Sequence, residues 1–406
     1  MSDISVAEAH AAIRAAVEGL PRARERVALG ELGGRVLAEP LLATFPQPRF
    51  DNSAMDGYAV RAADVAAATR ERPVKLEVVG VAAAGSPHEG RLAAGQAAQV
   101  MTGGVLPDGA DAVVMVESTS GYTDAAVEIY QAVDVGAHIR RRGEEIVEGE
   151  ELLAAGQLLG PVEVGTLATF GCAEAEVTRR PRVAIFATGD ELVEPGQALA
   201  PGQIYNSNFH VLRQLCSHAG AQVVIERVLR DDVDELARFL SDAVTRCDVL
   251  VSSGGVSMGR FDHVRDVASD IGLERRFWKV AQKPGRPLLF ASSDETLFFG
   301  LPGNPVSSTI CFVEYVRPAL LALAGAPPPK KIHARLAAPF PRQASKHRFL
   351  FGEIHADEQG QLLAAPTRKL GSHMLTSGVG ANALLEAPAG DGPLEPGATI
   401  LVTPLR

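Results

Sequence analysis

The stretch DVLVSSGGVSMGRFDHV runs from Asp248 to Val264. It begins as an apolar, β-branched run and stops at two glycines, Gly254 and Gly255. A buried strand ending in Gly-Gly is a common way to bring backbone N–H groups against a phosphate or another oxyanion. No Walker lysine follows and no G-x-G-x-x-G is present, yet a carboxylate, Asp262, comes soon after. An anion cradle beside a carboxylate calls for something positive between them.

The flanking sequence sets this strand in a repeating pattern. From Arg182, RVAIFATG reads as a strand. NSNFHVLRQLCSHAG reads as a helix with Asn206 or Ser207 as cap and Gly220 as stop. QVVIERVLR is the next strand, and DVDELARFLSDAVTRC a helix with an acidic first turn. After the Gly-Gly strand, PLLFASS and TLFFGLPG are two more strands, and a helix runs from about Pro305 to Ala324. Such alternation predicts a mostly parallel sheet with helices on both faces.

The outer parts differ. SVAEAHAAIRAAVEGLP has a capping-box pair, Ser5 and Glu8, and an apolar stripe through Val6, Ala9, Ile13 and Val17. From Thr44 to about Ile146, short β-type runs alternate with Gly and Pro turns. GPVEVGTLATFG returns to helical spacing, GAPPPKK is a linker, and HARLAAPF, FLFGEIHA and ATILVTPL predict a small β-domain. The fold class expected is multidomain α/β plus β.

Composition narrows the function. The chain has 406 residues, enough for about two to four domains. It is 46% hydrophobic and 22% charged, with net charge −10, which argues against broad nucleic-acid binding but not against one small anion. Cys172, Cys216, Cys247 and Cys311 form no C-x-x-C, so structural zinc is not expected and a reducing compartment is. MSDISVAEAH shows no basic-then-apolar region, so no secretion signal is expected. The apolar run near Ile310 to Ala326 is broken by Glu314, Arg317 and Pro318, so no membrane span is expected. A cytoplasmic location follows as the expectation.

In an open parallel sheet, ligands bind beyond the carboxyl ends of the strands. Those positions carry Gly189, Asp190 and Glu191, then Asp231 and Asp232, then Gly254, Gly255, Ser257 and Asp262. FWKVAQKPGRP adds Lys279, Lys283 and Arg286, and LPGNPVSS adds Pro302, Gly303, Asn304 and Pro305 at a helix start. Glycine N–H groups and a helix start can face an anion, with the lysines and Arg286 offsetting its charge. Glu191, Asp231 and Asp262 can share that edge if a hard cation such as Mg²⁺ lies between. Each part also has a plain structural reading: Asp231 and Asp232 as a helix start, Gly254 and Gly255 as a tight turn, Lys283 and Arg286 as solvated surface. Their convergence on one sheet edge is what points to a ligand. The β-rich region holds two further dense loops, PRFDNSAMDGYAV with Asp51, Asn52, Ser53 and Asp56, and MTGGVLPDG with Thr102. Both are also readable as Asx or glycine turns. HIRRRGEEI is readable as a solvated charge run.

Taken together, DNSAMDGYAVR, MTGGVLPDGADAVV, IRRRGEEI, FATGDELVEPG, SSGGVSMGRFDH, FWKVAQKPGRP, GLPGNPVSS and GSHMLTSG resemble the MoeA family, the molybdopterin molybdenumtransferases, and the related E domain of gephyrin. The resemblance implies a homodimer with four domains per subunit. These are a discontinuous linking and dimerisation domain (1–45 and 146–178), a β-rich insertion (46–145), a MogA-like α/β molybdopterin-binding domain (179–326) and a β-barrel-like tail (331–406). It implies insertion of molybdate into adenylated molybdopterin with release of AMP, in a composite cleft between subunits. The family's functional positions fall on Asp56, Thr102, Glu191, Asp231, Asp262, Lys279, Lys283 and Ser372, and further on Glu145 where relatives carry Asp. A MogA-like adenylyltransferase and acceptor molybdoenzymes are the implied partners. Two departures stand out. KPGRP replaces the commoner KPGKP at Arg286, and the tail motif lacks the arginine after Leu350, with Arg348 or Lys346 as substitutes. The alternatives are a MogA-like adenylyltransferase, for which the insertion and tail are superfluous, and a non-enzymatic gephyrin-like scaffold.

Overall fold

A computed structural model of the chain describes residues 3–230, 232–255 and 264–405. It divides into two compact units, one from Met1–Glu39, Gly156–Pro161 and Glu174–Arg406, the other from Pro40–Ala155 and Val162–Ala173.

The first unit is built on a six-stranded sheet in the order Gln222–Leu229, Arg182–Thr188, Val249–Ser253, Leu297–Leu301, Leu289–Ser292, Glu274–Trp278. The first four strands run parallel, as the alternating pattern predicted. Leu289–Ser292 runs antiparallel to both of its neighbours, so the edge strand Glu274–Trp278 again points the same way as the first four. The central strands are apolar on both sides because both faces are covered. One face packs against the helices Val6–Glu18 and Ser207–His218 and the helical run Pro305–Leu323. The other packs against Val233–Ala243 and Val264–Asp270.

The N-terminal helix starts where its capping box placed it. Ser5 Oγ accepts from the Glu8 N–H at 3.2 Å, and the Glu8 carboxylate accepts from the Ser5 N–H at 2.7 Å. A helix this short is marginal alone. Burial of Ile13 and Val17 on the sheet, at about 1.5–3 kcal/mol each, holds it in place.

The run Pro305–Leu323 is long and apolar enough to cross a membrane by length and composition, but it is a core helix, 78% buried. It carries a π-helical turn over Phe312–Val316. Pro318 has no N–H to return to the carbonyl of Glu314, and its ring crowds that carbonyl, so the regular ladder cannot continue there.

The tail is a closed barrel. Strands His347–Ala356, Leu362–Pro366, Ile332–Leu336, Thr399–Pro404 and Ala383–Ala387 pair in that order, and the last also pairs with the first. Phe340, Leu350, Leu385 and Val402 fill it. A two-residue strand, Gln282–Lys283, lies parallel to the start of His347–Ala356.

The second unit holds a five-stranded sheet in the order Ala112–Met115, Gly57–Val60, Gln96–Val100, Val74–Ala82, Ala126–Ile129. Tyr58, Val60, Leu76, Val114 and Ile129 form its core.

Candidate functional site

The Gly-Gly strand ends as its sequence required. Gly254 and Gly255 have φ of +91° and +72°, which favours glycine. A Cβ on Gly255 would stand 2.5 Å from Val264 Cγ2 and 2.9 Å from Thr188 Oγ1. The Gly254 N–H donates to the Leu301 carbonyl at 3.0 Å, and a Cβ on Gly303 would stand in ordinary contact, 3.8 Å, with Gly254 Cα. The two glycine loops therefore meet backbone to backbone. Asn208, on the helix Ser207–His218, joins them: its Nδ2 donates to Ser253 Oγ at 2.7 Å and to the Gly303 carbonyl at 2.8 Å.

The LPGN loop is tied to the tail. Asn304 Nδ2 donates to Ser372 Oγ at 3.2 Å, and the Val306 N–H donates to the Ser372 carbonyl at 3.1 Å. Asn304 stands at the N-cap and Pro305 begins the helix, where a missing N–H costs nothing. The structure thus brings together Gly254, Gly255, Pro302, Gly303, Asn304, Pro305 and Ser372.

Glu191 folds its carboxylate back over Gly189, whose lack of a side chain makes the room. Its main chain is fixed by the Ile204 N–H, which donates to the Glu191 carbonyl at 2.9 Å. Lys279 has φ of +74°, uncommon for a lysine, and its ammonium lies 3.9 Å over the Trp278 ring. Lys283 is exposed, but the residue before it is anchored: Gln282 is fully buried, accepts from the Tyr315 hydroxyl and donates to the Gly285 carbonyl at 3.1 Å. Asp231, Ser257 and Asp262 lie outside the described residues. Of the three carboxylates expected at a cation, only Glu191 is therefore placed. Among the described residues no group of three or more His, Cys, Asp or Glu side chains is set to hold a metal.

Arg286 differs from its sequence reading as an anion contact. Its fork is already taken, with Nε donating to Asp3 Oδ2 at 2.6 Å and Nη2 to Oδ1 at 3.0 Å. The hydrogen bond and charge of Arg286 hold the Asp3 carboxyl below the usual range. No local pattern links residues so far apart in sequence.

In the second unit, Asp56 and Thr102 meet directly. Asp56 Oδ1 accepts from the Thr102 N–H at 2.7 Å and from Thr102 Oγ1 at 2.8 Å. These bonds hold the exposed Asp56 carboxyl below the ordinary range, so it is ionised at neutral pH. Gly57 and Gly104 are glycines by contact: a Cβ would fall 2.0 Å from the Val114 carbonyl oxygen and 2.5 Å from that of Ala82. Asp51 is a fastener, accepting from Arg141 Nη1 and the Arg142 N–H, both at 2.7 Å. It fixes the HIRRRGEEI loop, whose Arg140, Glu144 and Glu145 line a cavity of about 540 Å³ with Arg49, Asn52 and Gly103. Sequence reasoning missed Asn208, the Gln282–Tyr315 pair and Tyr122. The desolvated Tyr122 hydroxyl has its pKa raised further by the nearby charge of Asp56. An asparagine two residues from a helix cap was the one visible signal among them.

Residues 4–171 match the MoeA N-terminal region (domain I and II), residues 184–322 a probable molybdopterin binding domain, and residues 333–405 the MoeA C-terminal region (domain IV). The chain is 33% identical over 389 residues to a protein of Haemophilus influenzae named molybdopterin molybdenumtransferase, covering 95% of each. It is 36% identical over 387 residues to the Bacillus subtilis protein of the same name, covering 94% of this chain and 90% of that one. The crystal structure of a molybdopterin biosynthesis moeA protein from Pyrococcus horikosii superposes with a TM-score of 0.84 at 31% identity, covering 100% of both chains.

Proposed function

The chain belongs to the MoeA family, and from that membership we propose that it is a molybdopterin molybdenumtransferase, inserting molybdate into adenylated molybdopterin and releasing AMP. The observation that carries this reading is likeness over the whole length. A MogA-like adenylyltransferase needs only the parallel-sheet portion, whereas relatives named for the transferase align through the β-rich unit and the tail barrel as well. No feature of the chain favours a gephyrin-like scaffold over the enzyme.

In this reading the backbone at Gly255 and Gly303 cradles an oxyanion of the substrate, the Gly254 N–H being committed to the Leu301 carbonyl, and Asn208 keeps the two loops in contact. Lys279 and Lys283 offset charge on phosphate and molybdate. Ser372, held by Asn304, lies beside the same helix start. Asp56, ionised and fixed by Thr102, is a carboxylate for positioning water or an oxo ligand. Mg²⁺ is the cation proposed for Glu191, Asp231 and Asp262. The carboxylate oxygens are the hard donors it prefers, and Glu191 has no cationic partner among the described residues. When bound, it would neutralise phosphate charge. The enzyme is proposed to be a cytoplasmic homodimer in which the Asp56–Thr102 pair of one copy serves the glycine loops of the other. The four free cysteines support a reducing compartment.

Reconstitution tests the reaction. The chain is supplied with adenylated molybdopterin, molybdate and Mg²⁺, and AMP and active cofactor are followed. Molybdate-dependent AMP release is expected, and its absence sinks the reading. Adenylylation of free molybdopterin from ATP would favour the MogA-like alternative instead. Mixing Asp56→Asn and Lys283→Gln chains tests the shared site, since mixed dimers regain one intact cleft only if the cleft is composite.

A further inference from the structure

Tyr122 lies on the connection between the strands Ala112–Met115 and Ala126–Ile129. Connections of this kind are ordinarily the loosest part of a sheet. Here the backbone on both sides of Tyr122 is fastened by side chains. The Gly121 N–H donates to Thr119 Oγ1 at 3.1 Å, and the Gly121 carbonyl accepts from the Tyr58 hydroxyl at 3.0 Å. The same hydroxyl accepts from the Thr123 N–H at 3.0 Å, and the Thr123 carbonyl accepts from Gln99 Nε2 at 2.8 Å. Tyr58, Gln99 and Thr119 are all buried. Three buried polar side chains are thus committed to the presentation of one residue, and Gly121, with φ of +87°, makes the turn before it.

Tyr122 itself is 50% exposed. Its ring lies tilted against Tyr58, with centroids 6.2 Å apart, and its hydroxyl donates to Met101 Sδ at 3.9 Å. Met101 precedes Thr102, which bonds the Asp56 carboxylate. The Asp56 carbonyl in turn accepts from the Val116 N–H at 3.1 Å, at the start of the same connection. An exposed aromatic ring and a polarisable thioether therefore stand beside the fixed carboxylate. The charges that act on the Tyr122 hydroxyl include those of Asp56 and Glu117 and no cation. That field disfavours phosphate or molybdate on the ring. It does not disfavour an uncharged flat ring, which an aromatic face attracts by stacking. A platform already fixed in place also spares the ordering cost of binding.

We propose that Tyr122 is a substrate-binding residue, a platform on which a flat nitrogen heterocycle of the substrate stacks beside Asp56. The proposal rests on the transferase reading, whose substrate carries two such rings, the pterin and the adenine.

Binding can be read without turnover. The full chain is prepared as wild type, Tyr122→Leu and Tyr122→Phe. Each is titrated with a free pterin, followed by quenching of the pterin's own fluorescence, and calorimetrically with AMP and with ribose 5-phosphate. Tyr122→Leu is expected to weaken at least one ring-bearing ligand about tenfold. It should leave ribose 5-phosphate binding and the thermal midpoint unchanged. Tyr122→Phe keeps the ring and should match wild type. Loss confined to the pterin assigns the platform to that ring, loss confined to AMP assigns it to adenine, and loss of both shows that it takes either. The proposal is overturned if wild type binds neither ring, if Tyr122→Leu keeps full affinity for both, or if Tyr122→Phe loses as much as Tyr122→Leu. A parallel loss of ribose 5-phosphate also overturns it, because that marks a structural role. Should the leucine variant not fold, Tyr122→Trp decides: its larger face should bind a ring more tightly than Tyr122→Phe does, and equal or weaker binding overturns the proposal. Tyr122-dependent binding in a chain that releases no AMP would uphold the platform and sink the transferase reading; molybdate-dependent AMP release with binding indifferent to Tyr122 would do the reverse.

Discussion

Removing the Tyr315 hydroxyl should loosen the segment that presents Lys283. Tyr315 and Gln282 are both fully buried, and the hydroxyl donates to Gln282 Oε1. Tyr315→Phe leaves that oxygen buried and unpaired, a loss of about 1–3 kcal/mol. Gln282→Met strands the tyrosine hydroxyl and also removes the 3.1 Å bond to the Gly285 carbonyl, so it should cost at least as much. The double variant replaces both polar partners with apolar groups. It should be more stable than the sum of the single losses by about 1–2 kcal/mol. The chain's one tryptophan, Trp278, lies just upstream on the sheet's edge strand and reports the same region. Urea unfolding followed by its fluorescence gives the cycle directly. Additive losses, or a neutral Tyr315→Phe, would refute the reasoning.

Three further outcomes are expected. Gly255→Ala should cripple turnover and lower stability by about 1–2 kcal/mol from its positive φ alone, with the overlap on Val264 added, as read by a reconstitution assay and urea unfolding. Arg286→Ala should reduce turnover less than Lys283→Gln, because Asp3 already occupies the arginine fork; the reverse order would contradict that placement. Lys331 bridges two buried carboxylates, Glu314 at 2.7 Å and Glu386 at 2.6 Å, so Lys331→Met should cost about 3–5 kcal/mol. Burial of Glu386 works to raise its pKa, but His347 and Lys331 outweigh it and hold the carboxyl below its usual value. Its stabilisation is therefore present above the unfolded value of about 4.3 and is lost as pH falls through the lower folded value. Burial of Lys331 works the other way too, yet its two carboxylates raise its pKa, so its contribution holds below about 10.4 and is lost as pH rises through the folded value. Midpoints measured across pH should show both edges in the wild type; the Lys331→Met variant should lose the alkaline edge and keep a weaker acid edge, because His347 still bonds Glu386.

What could be read from sequence was local. Ser5 and Glu8 announced a helix start because both halves of the capping box lie within one turn. Gly254 and Gly255 announced a strand end because only glycine adopts that backbone freely. Asp56 and Thr102 were marked as separate loops, and the fold makes them one hydrogen-bonded pair. What escaped depends on residues distant in sequence. Asp3 reaches Arg286 across most of the chain, and Asn208 bridges loops from two later strands. Tyr122 reads as an ordinary loop residue until the fold sets Tyr58, Gln99 and Thr119 against its neighbours. The antiparallel return of Leu289–Ser292 was equally hidden, since a buried strand reads the same in either direction.

The helix Val6–Glu18 also bears on how the protein is made. It is synthesised well before Tyr315, Val316 and Leu320, yet its apolar face packs with them. The Pro40–Ala155 segment can complete most of its own core while Met1–Glu39 still waits for partners. Until those partners are made, the nascent chain carries an unsatisfied amphipathic helix, a natural binding site for a holding chaperone. A truncated product lacking the Pro305–Leu323 run would keep that helix exposed permanently.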